Sequence, residues 1–374
     1  MKTRNLERII GITIDLSHGF GRNGLTQNII FLMQCINSIP GRKCYLIYIG
    51  EFSKNNFLNK DLSVSYENYI LKNQIRFDVI IYGGFSPSKQ DHEYDKSKNN
   101  SRKYVLLQLG NELTDDIQNS LFGEDRAVNI INNLSIDQIW TSPHYERNIP
   151  YLKTKYRNNN VIISPYLWSP DFIIKQFEEL KISLELNEFK NDININKVCV
   201  FEPNFYFTKT SLIPINIVEK FEQENPNLIE TLSIFNGDKL AKNEYFIGLI
   251  LYMDIYKKRK DFLKCRSRMP FLKAVKEHGG LVISHQIYNE LNYVYFESLY
   301  LSLPLIHNSN ILSDYGYYYK DCDIDKGSDW IKNILKNHKN NIDQYDKDNE
   351  DLFKKYSPYS HHNIEAYKFI LDEL

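Results

Sequence analysis

The chain lacks any cysteine pattern. Its five cysteines, Cys35, Cys44, Cys199, Cys265 and Cys322, are odd in number and scattered, with no CxxC pair. Neither a disulfide framework nor a structural zinc site is suggested, and a reducing, cytoplasmic compartment is the expectation. A long hydrophobic run is also missing: no window approaches the roughly 18 uninterrupted apolar residues that span a membrane. The apolar stretch near the start is too short for a signal-peptide core and runs directly into a strand pattern. Net charge is nearly absent as well, with 46 Lys and Arg against 47 Asp and Glu. No global positive field draws in nucleic acid, and the basic residues cluster only at 257–268. No internal repeat of fixed period is present.

What remains is ample for folding. With 374 residues, 42% hydrophobic and 14% aromatic, the chain can bury substantial cores, and its length suits two domains of roughly 100–200 residues each. Short β-rich runs at 9–15, 44–49, 77–84, 103–113, 137–142 and 161–170 alternate with helices or loops, and helical signals sit at 115–121 and 127–134. The polar segment 86–102 reads as a mobile surface loop. This alternation predicts a doubly wound α/β domain over residues 1–170. A charged, Asn-rich connector follows at 171–196. A second α/β set spans 197–345, and a polar helical tail at 346–374 is free to return to the first domain.

Between the first strand and the first helix lies a loop with three glycines, SHGFGRNG, where the backbone can approach a ligand closely. Its spacing Gly19-x-Gly21-x-x-Gly24 matches the dinucleotide fingerprint. No acidic residue ends a clear second strand, Glu51 being a poor fit, so a dinucleotide cofactor is disfavoured.

The richest stretch is 281–309, LVISHQIYNELNYVYFESLYLSLPLIHNS. An apolar run, Leu281 to Ile283, predicts a buried strand. A polar turn from Ser284 to Glu290 leads to a helix with Tyr293, Phe296, Tyr300 and Leu303 on one face and Asn292 placed to cap it. Pro304 stops the helix, and Leu305-Ile306 begins another strand. Such a unit implies parallel neighbours in an open sheet, whose ligands bind at the strands' carboxyl ends, with a helix N-terminus suited to phosphate.

The two carboxylates here, Glu290 and Glu297, resemble the donor-nucleotide site of GT-B glycosyltransferases. There one Glu before the helix faces the sugar and a second inside it holds the ribose. The spacing is one residue shorter than is common among retaining members. The chain further resembles a less characterised glycosyltransferase-like family of bacteria, phages and large DNA viruses. That resemblance is carried by Asn23-Gly24-Leu25-Thr26-Gln27-Asn28, Gly110-Asn111-Glu112, Phe201-Glu202-Pro203-Asn204 with Lys209-Thr210, Ser284-His285-Gln286, Leu291-Asn292-Tyr293, the run from Pro304 to Ser309, and the run from Asp314 to Tyr319. It implies two Rossmann-like domains facing a cleft, the GT-B arrangement. It also implies transfer of a sugar from a nucleotide-sugar, expected to be a UDP-sugar, to a hydroxyl acceptor.

Under that resemblance the donor is expected at Glu297 for ribose, at Lys209, Arg268 and the backbone of Asn292-Tyr293 for the diphosphate, and beside His285. A lone histidine is more often a hydrogen-bonded structural residue than a base. Asn23, Gly24, Asn111 and Asn204 are assigned to substrate. No DxD pair stands where a metal would be needed, so no metal and no resident cofactor are expected. The base is either His18 or Glu112, and His18 is favoured because imidazole titrates near neutrality. Alternatives are a transferase acting on hydroxymethylated bases of viral or phage DNA, which the neutral charge disfavours, and a non-catalytic GT-B-like binding protein.

Overall fold

The computed structural model describes residues 7–17, 24–51, 59–72, 75–123, 134–180, 189–190, 192–257, 259 and 261–374. The chain divides into two compact units, Met1–Ser169 with Lys354–Leu374, and Pro170–Phe353.

In the first unit seven strands form one sheet: β1 (Arg8–Asp15), β2 (Arg42–Ile49), β3 (Ser63–Ser65), β4 (Val79–Tyr82), β5 (Lys103–Gln108), β6 (Gln138–Thr141) and β7 (Val161–Ile163), in spatial order β3-β2-β1-β4-β5-β6-β7. Every ladder is parallel. Ile10, Ile12 and Ile14 of β1 and all of β4 are buried, as the near-continuous apolar runs of a two-sided parallel sheet require. Helices α1 (Gly24–Asn37), α2 (Tyr66–Lys72), α3 (Lys89–Lys98), α4 (Glu112–Phe122) and α5 (Ile149–Tyr156) connect them. At the end of β4 the backbone of Gly84 passes so close to β1 that a Cβ there would lie 2.7 Å from the Asp15 nitrogen, so only glycine fits.

The segment 86–102, expected as a loop, holds the ten-residue helix α3. Its composition is polar, but its inner face is tied to the sheet. Ser88 caps it through Asp91 N, His92 Nδ1 meets Tyr82 Oη at 2.9 Å, and Tyr104 Oη donates to Asp95 at 2.9 Å. Arg102 pairs with the same Asp95 and donates to the Phe77 carbonyl at 2.9 Å. Buried polar groups with partners replace the apolar stripe that periodicity looks for. The strand expected at 161–170 stops at Ile163, and most of the helix expected at 127–134 lies outside the described residues.

The second unit opens with α6 (Asp171–Glu179) and contains a six-stranded sheet: β8 (Lys197–Val200), β9 (Thr231–Phe235), β10 (Leu263–Arg266), β11 (Leu281–Ile283), β12 (Leu305–His307) and β13 (Tyr317–Tyr318). The order is β10-β9-β8-β11-β12-β13, with every ladder parallel. This is the doubly wound order, in which the chain reverses direction across the sheet between β8 and β11. Helices α7 (Leu212–Glu224), α8 (Glu244–Ile250), α9 (Asp254–Lys257), α10 (Phe271–His278), α11 (Tyr293–Tyr300), α12 (Ile324–Asn337) and α13 (Ile342–Tyr356) complete it. Strands β10 and β13 were not expected. β10 is a half-buried edge strand with the sequence LKCR, and β13 has only two residues.

The last helix, α14 (His361–Asp372), belongs to the first unit and packs on α1. Arg8 donates to the Leu371 carbonyl, Arg42 pairs with Asp372, and Tyr367 Oη donates to the Pro165 carbonyl at 2.7 Å. Among the described residues no helix is long and apolar enough to cross a membrane.

Candidate functional site

Between β8 and β11 the two directions of winding diverge, and the loops after these strands frame the sheet's carboxyl edge. Glu202 stands two residues beyond β8 and is 1% exposed. Ser284, His285 and Gln286 follow β11 directly and are all buried. Ser284 Oγ donates to Glu202 Oε1, and Gln286 Nε2 donates to Glu202 Oε2 at 3.2 Å. The network extends in three directions. Ser284 Oγ also meets Tyr295 Oη of α11 at 3.2 Å. Asn289 donates to Gln286 Oε1. Asn308, after β12, clasps the Gln286 backbone on both sides at 2.9 Å.

Lys209 joins this group through its backbone. It forms antiparallel bridges with Tyr206 and with Gln286, and Ile287 N donates to the Thr208 carbonyl at 2.9 Å. The loop after β8 is thereby sewn to the loop after β11, and the Lys209 charge favours the ionised form of Glu202. Asn204 organises the first loop. It adopts a left-handed φ of 56°, and its side chain accepts from Ser211 N at 2.8 Å, closing the loop onto the residue before α7.

Electrostatics follow from burial. Desolvation pushes the Glu202 carboxyl up to about 7, against the opposing pull of Ser284, Lys209, Gln286 and the His285 backbone. His285 is pushed down to about 4 by burial, and its Nδ1 meets Tyr319 Oη at 2.9 Å. His307 is likewise driven down to about 4 by burial. Its Nε2 lies 2.8 Å from the Tyr315 carbonyl and its Nδ1 accepts from Ser309 N at 3.2 Å, which assigns a neutral ring protonated at Nε2. Both histidines are therefore uncharged near neutral pH, and His285 is a weak base held in place by a tyrosine.

The residues expected at the donor divide into a gathered set and an outlying one. Asn292 caps α11, accepting from Val294 N at 3.1 Å. Glu297 is in the middle of α11 and buried. Glu290 precedes the helix; its carbonyl accepts from Ser309 Oγ at 2.6 Å, and its Oε2 is buried with no hydrogen-bond partner. These residues, with Lys209 and His285, share the edge formed by β8, β11 and β12. Arg268 is exposed and follows β10, two strand positions from β8 or about 10 Å at ~4.8 Å per strand.

The remaining assignments fall in the first unit. His18 and Asn23 lie outside the described residues. Gly24 is the exposed first residue of α1. Asn111 caps α4 and accepts from Asn148 at 2.8 Å. Glu112 Oε1 is claimed by Lys155 and by Tyr156 Oη, whereas its Oε2 is buried and accepts nothing. Sequence reasoning did not assign Glu202, Ser284, Gln286 or Tyr319 to the site. The signal for three of them was local: polar residues directly after an apolar strand, where a doubly wound sheet puts its ligands. Among the described residues no group of three or more His, Cys, Asp or Glu is placed to hold a metal ion.

Two parallel-sheet α/β units of this kind define a GT-B fold. The chain is similar to HepE of Anabaena in complex with UDP-glucose (12% identity, TM-score 0.52, covering 98% of this chain and 100% of that one). It is similar to the UDP-forming trehalose-phosphate synthase of Burkholderia xenovorans in complex with glucose-6-phosphate (8%, 0.59, 98% and 99%). It is also similar to a glycosyltransferase from Rickettsia africae (12%, 0.52, 98% and 100%). No curated protein matches the sequence. The family model "Protein of unknown function (DUF2827)" matches residues 10–371, and the chain belongs to that family.

Proposed function

We propose that this protein is a glycosyltransferase that binds a nucleoside diphosphate sugar at the carboxyl edge of the second unit and transfers the sugar to a hydroxyl acceptor. The observation that carries the reading is that the loop of Lys209, bridged to Gln286, the Asn292-capped helix α11 and the buried Glu202 network all belong to the loops and helix that follow β8 and β11, where the sheet reverses. A lysine and a helix N-terminus on one sheet edge are the groups that a diphosphate cradle needs. UDP is the favoured nucleotide, because the Anabaena relative in fold holds UDP-glucose and the Burkholderia one is UDP-forming.

In this reading Glu297 accepts hydrogen bonds from the ribose hydroxyls. Lys209 and the positive N-terminal end of α11 take the negative charge that develops on the leaving diphosphate. Arg268 serves as an outer phosphate contact, reaching inward on donor binding. Glu290, whose Oε2 is unclaimed, faces the sugar. Acceptor recognition is assigned to the first unit. Glu112 Oε1 is already occupied by Lys155 and Tyr156, so His18 is assigned as the base and the free Glu112 oxygen as an acceptor-orienting group. No metal is required, because the helix terminus and the cations supply the charge.

One observation favours a second reading, a binding protein without turnover: Glu112 is spent on a structural ion pair. Both readings are separated by one screen. Thermal shift across UDP-, GDP-, CMP- and dTDP-sugars identifies the donor, and release of the free nucleotide then reports turnover. Stabilisation by one donor with nucleotide release supports the transferase. Stabilisation without release, with or without sugar acceptors, supports the binding protein, and no stabilisation by any donor overturns both.

A further inference from the structure

Glu202 is not a group that the donor assignment needs, yet it is the most deeply committed ionisable side chain at that edge. It is 1% exposed, and its two oxygens are divided between Ser284 and Gln286. Those partners flank His285 at the head of the loop that ends in Glu290 and α11. The titratable and charged groups facing it come from every neighbouring element: Lys209 from the loop after β8, the His285 backbone from the loop after β11, Tyr295 from α11, and Tyr319 after β13. Glu290 acts on the same Tyr295. Lys209 is the one cation in this set.

We propose that Glu202 is a positioning residue of the donor site, tying the loop after β11 to the end of β8 and taking up a proton when a diphosphate settles beside Lys209. The inference rests on the donor assignment above. An arriving diphosphate adds negative charge and draws the Lys209 ammonium away from the carboxylate, and both changes favour the protonated acid. The geometry accommodates that proton without moving a heavy atom. As a carboxylate, Glu202 accepts from Ser284 Oγ. As an acid, it donates to Ser284 Oγ, whose own proton turns to Tyr295 Oη, 3.2 Å away. Gln286 Nε2 donates to the other oxygen in both states. Burial already holds the carboxyl near neutrality, so the free protein is poised to make the change.

The test uses the full chain and UDP, with inorganic pyrophosphate as a probe that carries no nucleoside. Calorimetric titration in buffers of different ionisation enthalpy gives the protons taken up on binding, and comparison with Glu202→Gln cancels the ionisation of UDP itself. The wild type is expected to take up more protons than Glu202→Gln, and its affinity falls with rising pH where the variant's does not. Glu202→Ala, lacking both hydrogen bonds, should bind UDP about tenfold more weakly or worse, and Glu202→Gln should restore most of that loss at about pH 6. Equal proton uptake in the two proteins, or unchanged affinity in Glu202→Ala, overturns the proposal while the donor reading stands. A wild type that binds neither UDP nor pyrophosphate overturns the donor reading and this proposal with it. Ligand-free unfolding separates the parts further: the wild type should lose stability relative to Glu202→Gln from about pH 5 to about pH 8, and a constant difference overturns the protonation itself.

Discussion

Glu297, His285 and His307 are all buried in the second unit. Glu297 is the one charged residue among the buried side chains of α11, which are otherwise aromatic, aliphatic or the hydroxyl of Ser298, and glutamates are seldom buried without a partner. Replacing it with Gln keeps the volume and removes the charge. A charged hydrogen bond contributes about 1.5–3 kcal/mol, so Glu297→Gln should weaken binding of the preferred donor by roughly ten- to a hundred-fold. Calorimetry measures the affinity and circular dichroism checks that the fold is intact; an unchanged affinity removes Glu297 from the site. His285 and His307 titrate far below a free histidine because burial disfavours the imidazolium. Their folded values near 4 lie below the unfolded value of about 6.5, so their stabilisation is complete above 6.5 and is lost as pH falls towards 4. Glu202 runs the other way: with a folded value raised to about 7, it stabilises at low pH and loses that contribution as pH rises through 7. Urea unfolding should thus show stability falling by a few kcal/mol from about pH 6.5 to pH 4, and His307→Gln should remove part of that slope. A slope unchanged in the variant would show that His307 is not the group responsible.

At the scale of elements, α3 and α11 each present a polar residue whose single replacement tests how the helix is held. α3 carries almost no apolar surface, and its attachment runs through Asp95 and its buried pairing with Arg102. Breaking a buried ion pair by removing one partner costs about 3–5 kcal/mol, because the other charge is left uncompensated. Asp95→Ala should therefore destabilise the first unit by that order and open amides 89–98 to hydrogen exchange, whereas the amides of α7 keep their protection. Loss of protection in both units alike would mean that the pair does not act locally. For α11, Asn292→Ala removes the cap and should cost about 1 kcal/mol. In the proposed function it also weakens pyrophosphate binding, since the first-turn N–H groups lose their alignment. A titration with pyrophosphate reports the second effect apart from the first.

For the whole molecule, the first unit is closed by the end of the chain. α14 packs on α1, with Tyr367 held by the Pro165 carbonyl and its ring against Trp140 at 5.8 Å. Ending the chain after Ser360 strips this cover from α1, whose Cys35 and Ile36 are buried in the intact protein. Burial of apolar surface contributes about 25 cal/mol per Å², and removing a whole amphipathic helix exposes several hundred Å². The truncated protein should show an early melting transition in calorimetry for the first unit while the second unit's transition stays in place. A single unshifted transition would contradict this.

Local pattern alone determined a good deal here. Alternating apolar runs and helical periodicity marked most strands of both units, and the stretch 281–309 already displayed strand, turn, cap, helix and strand in order. Its functional promise was legible because the polar residues follow an apolar run directly. What sequence could not disclose were relationships that close only in space. Glu202 and Ser284 are 82 positions apart and meet because β8 and β11 pair across the reversal of the sheet. His285 finds Tyr319, 34 positions on, by the same route. Edge strand β10 escaped notice because a half-buried LKCR has no apolar run to show, and α3 because its partners are polar and lie on other strands. Periodicity reports which residues avoid water. Which buried carboxyl stands beside which lysine depends on strand order, and that is decided only when the sheet has assembled.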